Sequence, residues 1–180
     1  MAIRLGTLLV ALLMLGGCTT STPTTARPSP ISCTEVSDLV PNTEPGFGGG
    51  YGMARAGPIW FSAFGQVRAG KAVLDDYSPG EPTKVLIHPN PGPHPEVQIR
   101  GTECASGRAL HFCYQQGSCG FTGQPVSESD LEARGDAVVK IAKDQPGDYT
   151  GYMLFPRRGN YLIRVQQADL LLGSVIFRVR

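Results

Sequence analysis

The sequence has no excess of charge of either sign: its 180 residues carry 16 Lys and Arg against 15 Asp and Glu, a formal net charge of +1. A protein that grips nucleic acid through its phosphates needs a basic surface, so no nucleic-acid partner is expected. The chain also has little long-range apolar continuity. The run from Leu8 to Leu15 is well short of the roughly 18 to 20 residues that span a bilayer. Charged residues are only 17% of the chain, there is a single Trp, and signals for long helices are nearly absent. What is abundant is Gly, with 23 residues, and Pro, with 15, in no collagen-like period, which predicts many turns and short strands.

The amino end reads as a targeting device. Arg4 is a minimal positive region, the apolar run follows, and the segment closes on Leu15-Gly16-Gly17-Cys18. Small residues before a cysteine let a peptidase hold the extended backbone close, and the Cys18 thiol is the nucleophile that becomes a thioether to diacylglycerol. Residues 1–17 are therefore expected to be a lipoprotein signal peptide and Cys18 the lipidated first residue of the mature chain, with two or three acyl chains, enough for stable anchoring. Removal of Arg4 leaves 15 charges of each sign, so the lipid alone is the expected link to the membrane. Residues 19–32 contain eleven Ser, Thr or Pro among fourteen. Such a composition buries too little apolar surface to offset its ordering entropy, so residues 18–32 read as a lipidated tether, of up to about 40 Å in polyproline conformation, with hydroxyls open to glycosylation. The expected location is the cell envelope, lipid-anchored and extracytoplasmic.

Residues 33–180 suffice for one domain with a substantial core. Their apolar runs are short, rich in Val, Ile, Phe and Tyr, and punctuated by Gly and Pro, the pattern of an all-β antiparallel sandwich of about seven or eight strands. The predicted strands are Pro58–Phe64, Lys84–His88, Val97–Gly101, Ala109–Cys113, Ala137–Ala142, Tyr149–Phe155, Tyr161–Gln166 and Ser174–Val179. Alternation points Val97, Ile99, Tyr161, Ile163 and Val165 inward, and the last two strands should form a hairpin through Ala168-Asp169 with Val175, Phe177 and Val179 facing the core. Ser129 to Arg134 reads as a short helical turn, interrupted by Gly135-Asp136. Gly57-Pro58 and Pro79-Gly80 read as turns.

Once Cys18 is assigned to lipid, Cys33, Cys104, Cys113 and Cys119 remain, an even number in an exported chain, which predicts two disulfides. Their spacing lacks the paired knuckles of a zinc site. Three connectivities are open. Cys113 and Cys119 enclose a short loop in which Gly117 permits a reversal, and that pairing leaves Cys33 for Cys104.

Several segments resemble a group of bacterial exported proteins and lipoproteins of unknown activity with Ig-like sandwich domains. They are Ser32-Cys33, Phe47–Gly52 leading to Gly57–Trp60, Lys84–Ile87 followed by Val97–Gly101, and Tyr149–Val165 followed by Val175–Arg178. The resemblance implies an Ig-like β-sandwich stapled by disulfide, and it transfers no site residue, since the group has no established activity. That group often carries a cysteine where this chain has Asn160, as the partner of the one matching Cys33. Its absence here implies that Cys33 is re-paired within the Cys104 to Cys119 region.

Side-chain constellations complete the reading. His88 and His94 lie on a Pro-stiffened loop, HPNPGPHP, and His111 on a nearby strand. Three neutral imidazoles suit Zn²⁺ or Cu²⁺, while the same loop also reads as a rigid edge connection. Asp75-Asp76 lacks the spacing of a calcium loop, and Gly48–Gly52 lacks the Lys-Ser/Thr of a P-loop. There is no G-x-S-x-G elbow, and a triad assembled from distant segments leaves no local pattern. Asp144 and Asp148 share a Pro-Gly loop. Trp60 and Phe61 face opposite ways, with Trp60 assigned to the core; alternatively Trp60, Tyr51, Tyr77 and Tyr114 form an exposed platform for a sugar ring or partner. The sequence thus points to a binding or envelope-interaction module without cofactor or catalytic residues, its ligand an envelope glycan or protein. A metal-binding or hydrolytic protein centred on the HPNPGPHP histidines is the alternative.

Overall fold

The computed structural model describes residues 32–41, 52–62, 70–75, 78, 82–90, 92–113 and 128–180. The chain divides into two units, 1–31 and 32–180, and every described residue belongs to the second. The signal segment, Cys18, the tether up to residue 31, Cys119, Tyr51, Tyr77, Tyr114, Asp76, Gly48–Gly50 and the Pro79-Gly80 turn lie outside the described residues.

The unit is all-β. Its strands are β1 (Val40–Pro41), β2 (Gly52–Ala56), β3 (Ile59–Ser62), β4 (Val73–Leu74), β5 (Thr83–Pro89), β6 (Val97–Glu103), β7 (Ala109–Cys113), β8 (Val139–Ile141), β9 (Tyr149–Leu154), β10 (Gly159–Gln167) and β11 (Leu170–Val179), with one short helix, α1 (Glu128–Arg134). Each of the eight strands expected from the short apolar runs is present among the described residues. The count among the described residues is eleven rather than seven or eight, because β1, β2 and β4 join the edges; β1 and β4 have two residues each, too short for any periodicity to betray them.

The strands form one continuous sheet in the order β1-β2-β3-β5-β9-β7-β6-β10-β11-β4, with β8 attached to β6. The sheet doubles back on itself at β7. Leu110 and Ala109 pair with Gly101 and Thr102 of β6, whereas His111, Phe112 and Cys113 pair with Leu154, Met153 and Tyr152 of β9. One strand thus belongs to both halves and turns the corner between them. Across the enclosed space Phe61 of β3 meets Phe177 of β11 edge to face, with centroids 5.8 Å apart. The halves approach closely where Gly173 faces Gly57: a Cβ on Gly173 would lie 2.2 Å from the Gly57 nitrogen, so only glycine lets these backbones approach. The core joins Ile59, Phe61, Val85, Ile87, Val97, Ile99, Ile141, Phe155, Tyr161, Ile163, Val165, Val175, Phe177 and Val179. The residues that alternation points inward, Val97, Ile99, Tyr161, Ile163, Val165, Val175, Phe177 and Val179, all do so.

Two polar devices hold the β9–β10 corner. The Tyr161 hydroxyl donates to the Arg157 carbonyl at 2.6 Å, a tyrosine reaching back four residues from the start of its strand. Beside it, buried Glu103 accepts two bonds from the Arg157 guanidinium, at 2.6 and 2.8 Å, and a third from the Ser106 hydroxyl. The Arg157 hydrogen bond leads in holding the Glu103 carboxyl below the usual range against burial, which pushes it up.

The structure contains the Cys33–Cys104 disulfide, with a Cα separation of 5.7 Å. Cys113 is disulfide-bonded as well. Tyr161 pairs with Glu103 and the Cys104 amide donates to the Asn160 carbonyl at 2.9 Å, so Cys104 is the cross-strand neighbour of position 160. Asn160 donates its side-chain amide to the Cys33 carbonyl at 3.0 Å.

Candidate functional site

Trp60 opens the site. Phe61, not Trp60, fills the core, because adjacent residues of β3 point to opposite faces and Phe61 is fully buried against Phe177. Trp60 lies on the outer face and is nonetheless only 4% exposed. Arg55, its cross-strand partner on β2, places its guanidinium 4.8 Å from the ring centroid, and the indole donates to Asn90 Oδ1 at 2.6 Å. Its other cross-strand partner is His88 on β5.

His88 is buried and bridges three segments. Its Nε2 lies 2.8 Å from Ser62 Oγ and its Nδ1 2.5 Å from Asp148 Oδ1. A carboxylate only accepts, so Nδ1 carries a proton toward Asp148, and Nε2 faces the Ser62 hydroxyl. Ser62 is partly exposed, and the Asp148 side chain is half-exposed.

The other two histidines are elsewhere. His94 is buried, with Nδ1 3.0 Å from the Pro95 carbonyl and Nε2 3.4 Å from that of Gln145, and its amide donates to Asp144 Oδ1 at 2.9 Å. It ties the loop before β6 to the loop after β8. His111 Nδ1 bonds the Gly135 carbonyl at 2.9 Å, next to α1. The alternative of a metal held by these histidines is corrected accordingly: His88 and His94 face separate protein groups with both ring nitrogens and His111 with one, and among the described residues no group of three or more His, Cys, Asp or Glu could hold an ion.

Between the two loops tied by His94 is a cleft of about 380 Å³, walled by Pro89, Asn90 and Pro93 on one side and Asp144, Gln145 and Asp148 on the other. Its size suits one small organic group. The Asn90 oxygen is taken by Trp60, leaving the amide hydrogens for a ligand. The cleft and the Cys33–Cys104 bond lie at opposite ends of the sheet: Cys104 follows the last residue of β6, whereas the cleft loop leads into its first, Val97.

No protein-family model and no curated protein sequence matches the chain. One solved structure, described as a "Putative Lipoprotein from Bacillus anthracis", is similar over 81% of this chain and 87% of its own, at 9% identity and a TM-score of 0.46.

Sequence reasoning reached His88, His94, His111, Asp144 and Asp148 but missed Ser62 and Asn90. Ser62 is 26 residues from His88, and Asp148 is 60 from it. Only the pairing of β3 with β5, and of β5 with β9, brings the three together.

Proposed function

We propose that the chain is a lipid-anchored, extracytoplasmic Ig-like module that binds a sugar unit of an envelope glycan in the cleft beside Asn90. The Leu15-Gly16-Gly17-Cys18 pattern supports the anchor. The parallel pairing of β4 with the last strand and the Tyr161 corner support an Ig-like topology. The observation that carries the binding reading is the cleft's place and chemistry. It lies at the end of the sheet opposite the disulfide at which the amino end is fastened, and it combines carboxylates that accept from sugar hydroxyls, amide hydrogens that donate to them, and proline faces for the ring's C–H surface.

The full chain, purified in detergent, is tested against neutral and amino-sugar fragments of envelope glycans by calorimetry, and its amino terminus by mass spectrometry. At least one fragment binds, and Asp144→Asn, which keeps the bond to the His94 amide, weakens it at least tenfold. The wild-type mature chain begins at an acylated Cys18, and Cys18→Ala yields an unacylated product. An unmodified Cys18 overturns the anchor; the absence of any sugar binding overturns the glycan.

A further inference from the structure

The hydrogen-bonded chain Ser62–His88–Asp148 shares only Asp148 with the cleft. Its geometry is that of a nucleophile, a base and an orienting carboxylate. The Oγ to Nε2 distance of 2.8 Å and the Nδ1 to Oδ1 distance of 2.5 Å lie within hydrogen-bond reach, which is how such a relay is recognised when sequence position gives no guide. We propose that Ser62 is an acylatable nucleophile, activated by His88, that cleaves uncharged carboxylic esters.

Three observations carry this. His88 is 3% exposed, so its imidazole is held by packing and needs no reorganisation before it accepts a proton. The bond from Nδ1 to Asp148 holds the ring with its Nε2 turned to the Ser62 hydroxyl. Ser62 is partly exposed at the end of β3, with half-buried Leu86 as its cross-strand neighbour. That surface suits an apolar acyl group, and the nearby carboxylate disfavours an anionic one.

In the step, the Ser62 oxygen bonds to the ester carbonyl carbon as its proton passes to His88 Nε2. The bond from carbon to the alcohol oxygen then breaks, and the alcohol leaves with that proton. Water next gives a proton to Nε2 as its oxygen bonds to the acyl carbon; the bond from that carbon to the Ser62 oxygen breaks, Nε2 returns the proton to Ser62, and the carboxylic acid leaves. The sum is ester plus water to acid plus alcohol, with no redox partner.

The alternative is that the chain is a polar brace joining β3, β5 and the loop before β9. The full chain in detergent distinguishes them when treated with a fluorophosphonate probe and, separately, with 4-nitrophenyl butyrate. The proposal expects one probe per chain at Ser62 by peptide mass spectrometry, release of 4-nitrophenol, and loss of both in Ser62→Ala. Asp148→Asn should slow labelling at least tenfold with its thermal midpoint near that of the wild type. Ser62 left unlabelled while the wild type is folded, or labelled equally fast in Asp148→Asn, overturns the nucleophile and leaves the brace. Sugar binding by Ser62→Ala is expected to be unchanged, so this proposal and the glycan reading fail separately.

Discussion

Glu103 shows how a single charged residue is made compatible with the interior. Its side chain is almost wholly buried while Arg157 is half-exposed, so one partner is desolvated and the other keeps contact with water. The bidentate bonds and the Ser106 hydroxyl satisfy the carboxylate, a condition for burying charge at tolerable cost. A carboxyl whose folded pKa is depressed contributes stability that is complete above its unfolded pKa, about 4.3, and is lost as pH falls through the folded value. Denaturant melts from pH 7 down to pH 2.5 should therefore show wild-type stability dropping at the acid end. Glu103→Gln should lose about 1 to 3 kcal/mol at pH 7 and show a shallower acid decline. An unchanged decline in the variant would remove Glu103 as the acid-sensitive group. Nothing in the sequence singles out Glu103, since a carboxylate at the end of a strand normally faces solvent.

The last hairpin is the element in which alternation and packing agree most closely. β10 and β11 pair from Gly159 with Val179 to Gln167 with Leu170, joined through Ala168-Asp169. Val175, Phe177 and Val179 enter the core, while Arg178 stays on the outer face and donates to Asn160 Oδ1 at 3.1 Å. Phe177→Ala should cost about 3 to 5 kcal/mol, against less than about 1 kcal/mol for Arg178→Ala, whose bond is partly exposed. Denaturant titration of both variants checks the ranking, and its reversal would mean a register shifted by one residue. Such strands are legible because period two and burial of one face say the same thing twice. Legibility ends where that redundancy does. Ile176 and Leu162 lie on the outer face and are buried all the same, the amino-terminal segment being hydrogen-bonded alongside through Ser37 and Ile176. Trp60 lies on the outer face and not in the core expected for it, and Arg55 and Asn90 cover it from outside. The Ser62–His88–Asp148 chain is invisible in the sequence because cross-strand register, which no single segment encodes, assembles it.

At the scale of the whole domain, one covalent bond joins the two ends of a long stretch of sequence. Cys33 and Cys104 are 71 positions apart, and closing so long a loop restricts the unfolded chain by about 4 kcal/mol in the chain-entropy model. Paired Cys33→Ser and Cys104→Ser substitutions should lower stability by about 2 to 4 kcal/mol in denaturant melts under non-reducing conditions. They should leave the core strands folded, since neither cysteine is part of the apolar cluster. A loss below 0.5 kcal/mol would show that the unfolded chain is already restricted in some other way.

The same bond decides where mechanical load enters. A pull on the amino end reaches Cys33 and passes through sulfur to Cys104, skipping every residue between them. It is delivered at the end of β6, a strand paired with β10, β7 and β8. If the opposing hold is at the cleft, the force runs along β6 from one end to the other. The ladder bonds flanking that strand are then loaded together in shear, not opened one after another. In the reduced protein the same pull would first strip residues 34–41 from the sheet edge, where Ser37 and Leu39 are hydrogen-bonded to Ile176 and Gly70, peeling the domain from its weakest margin.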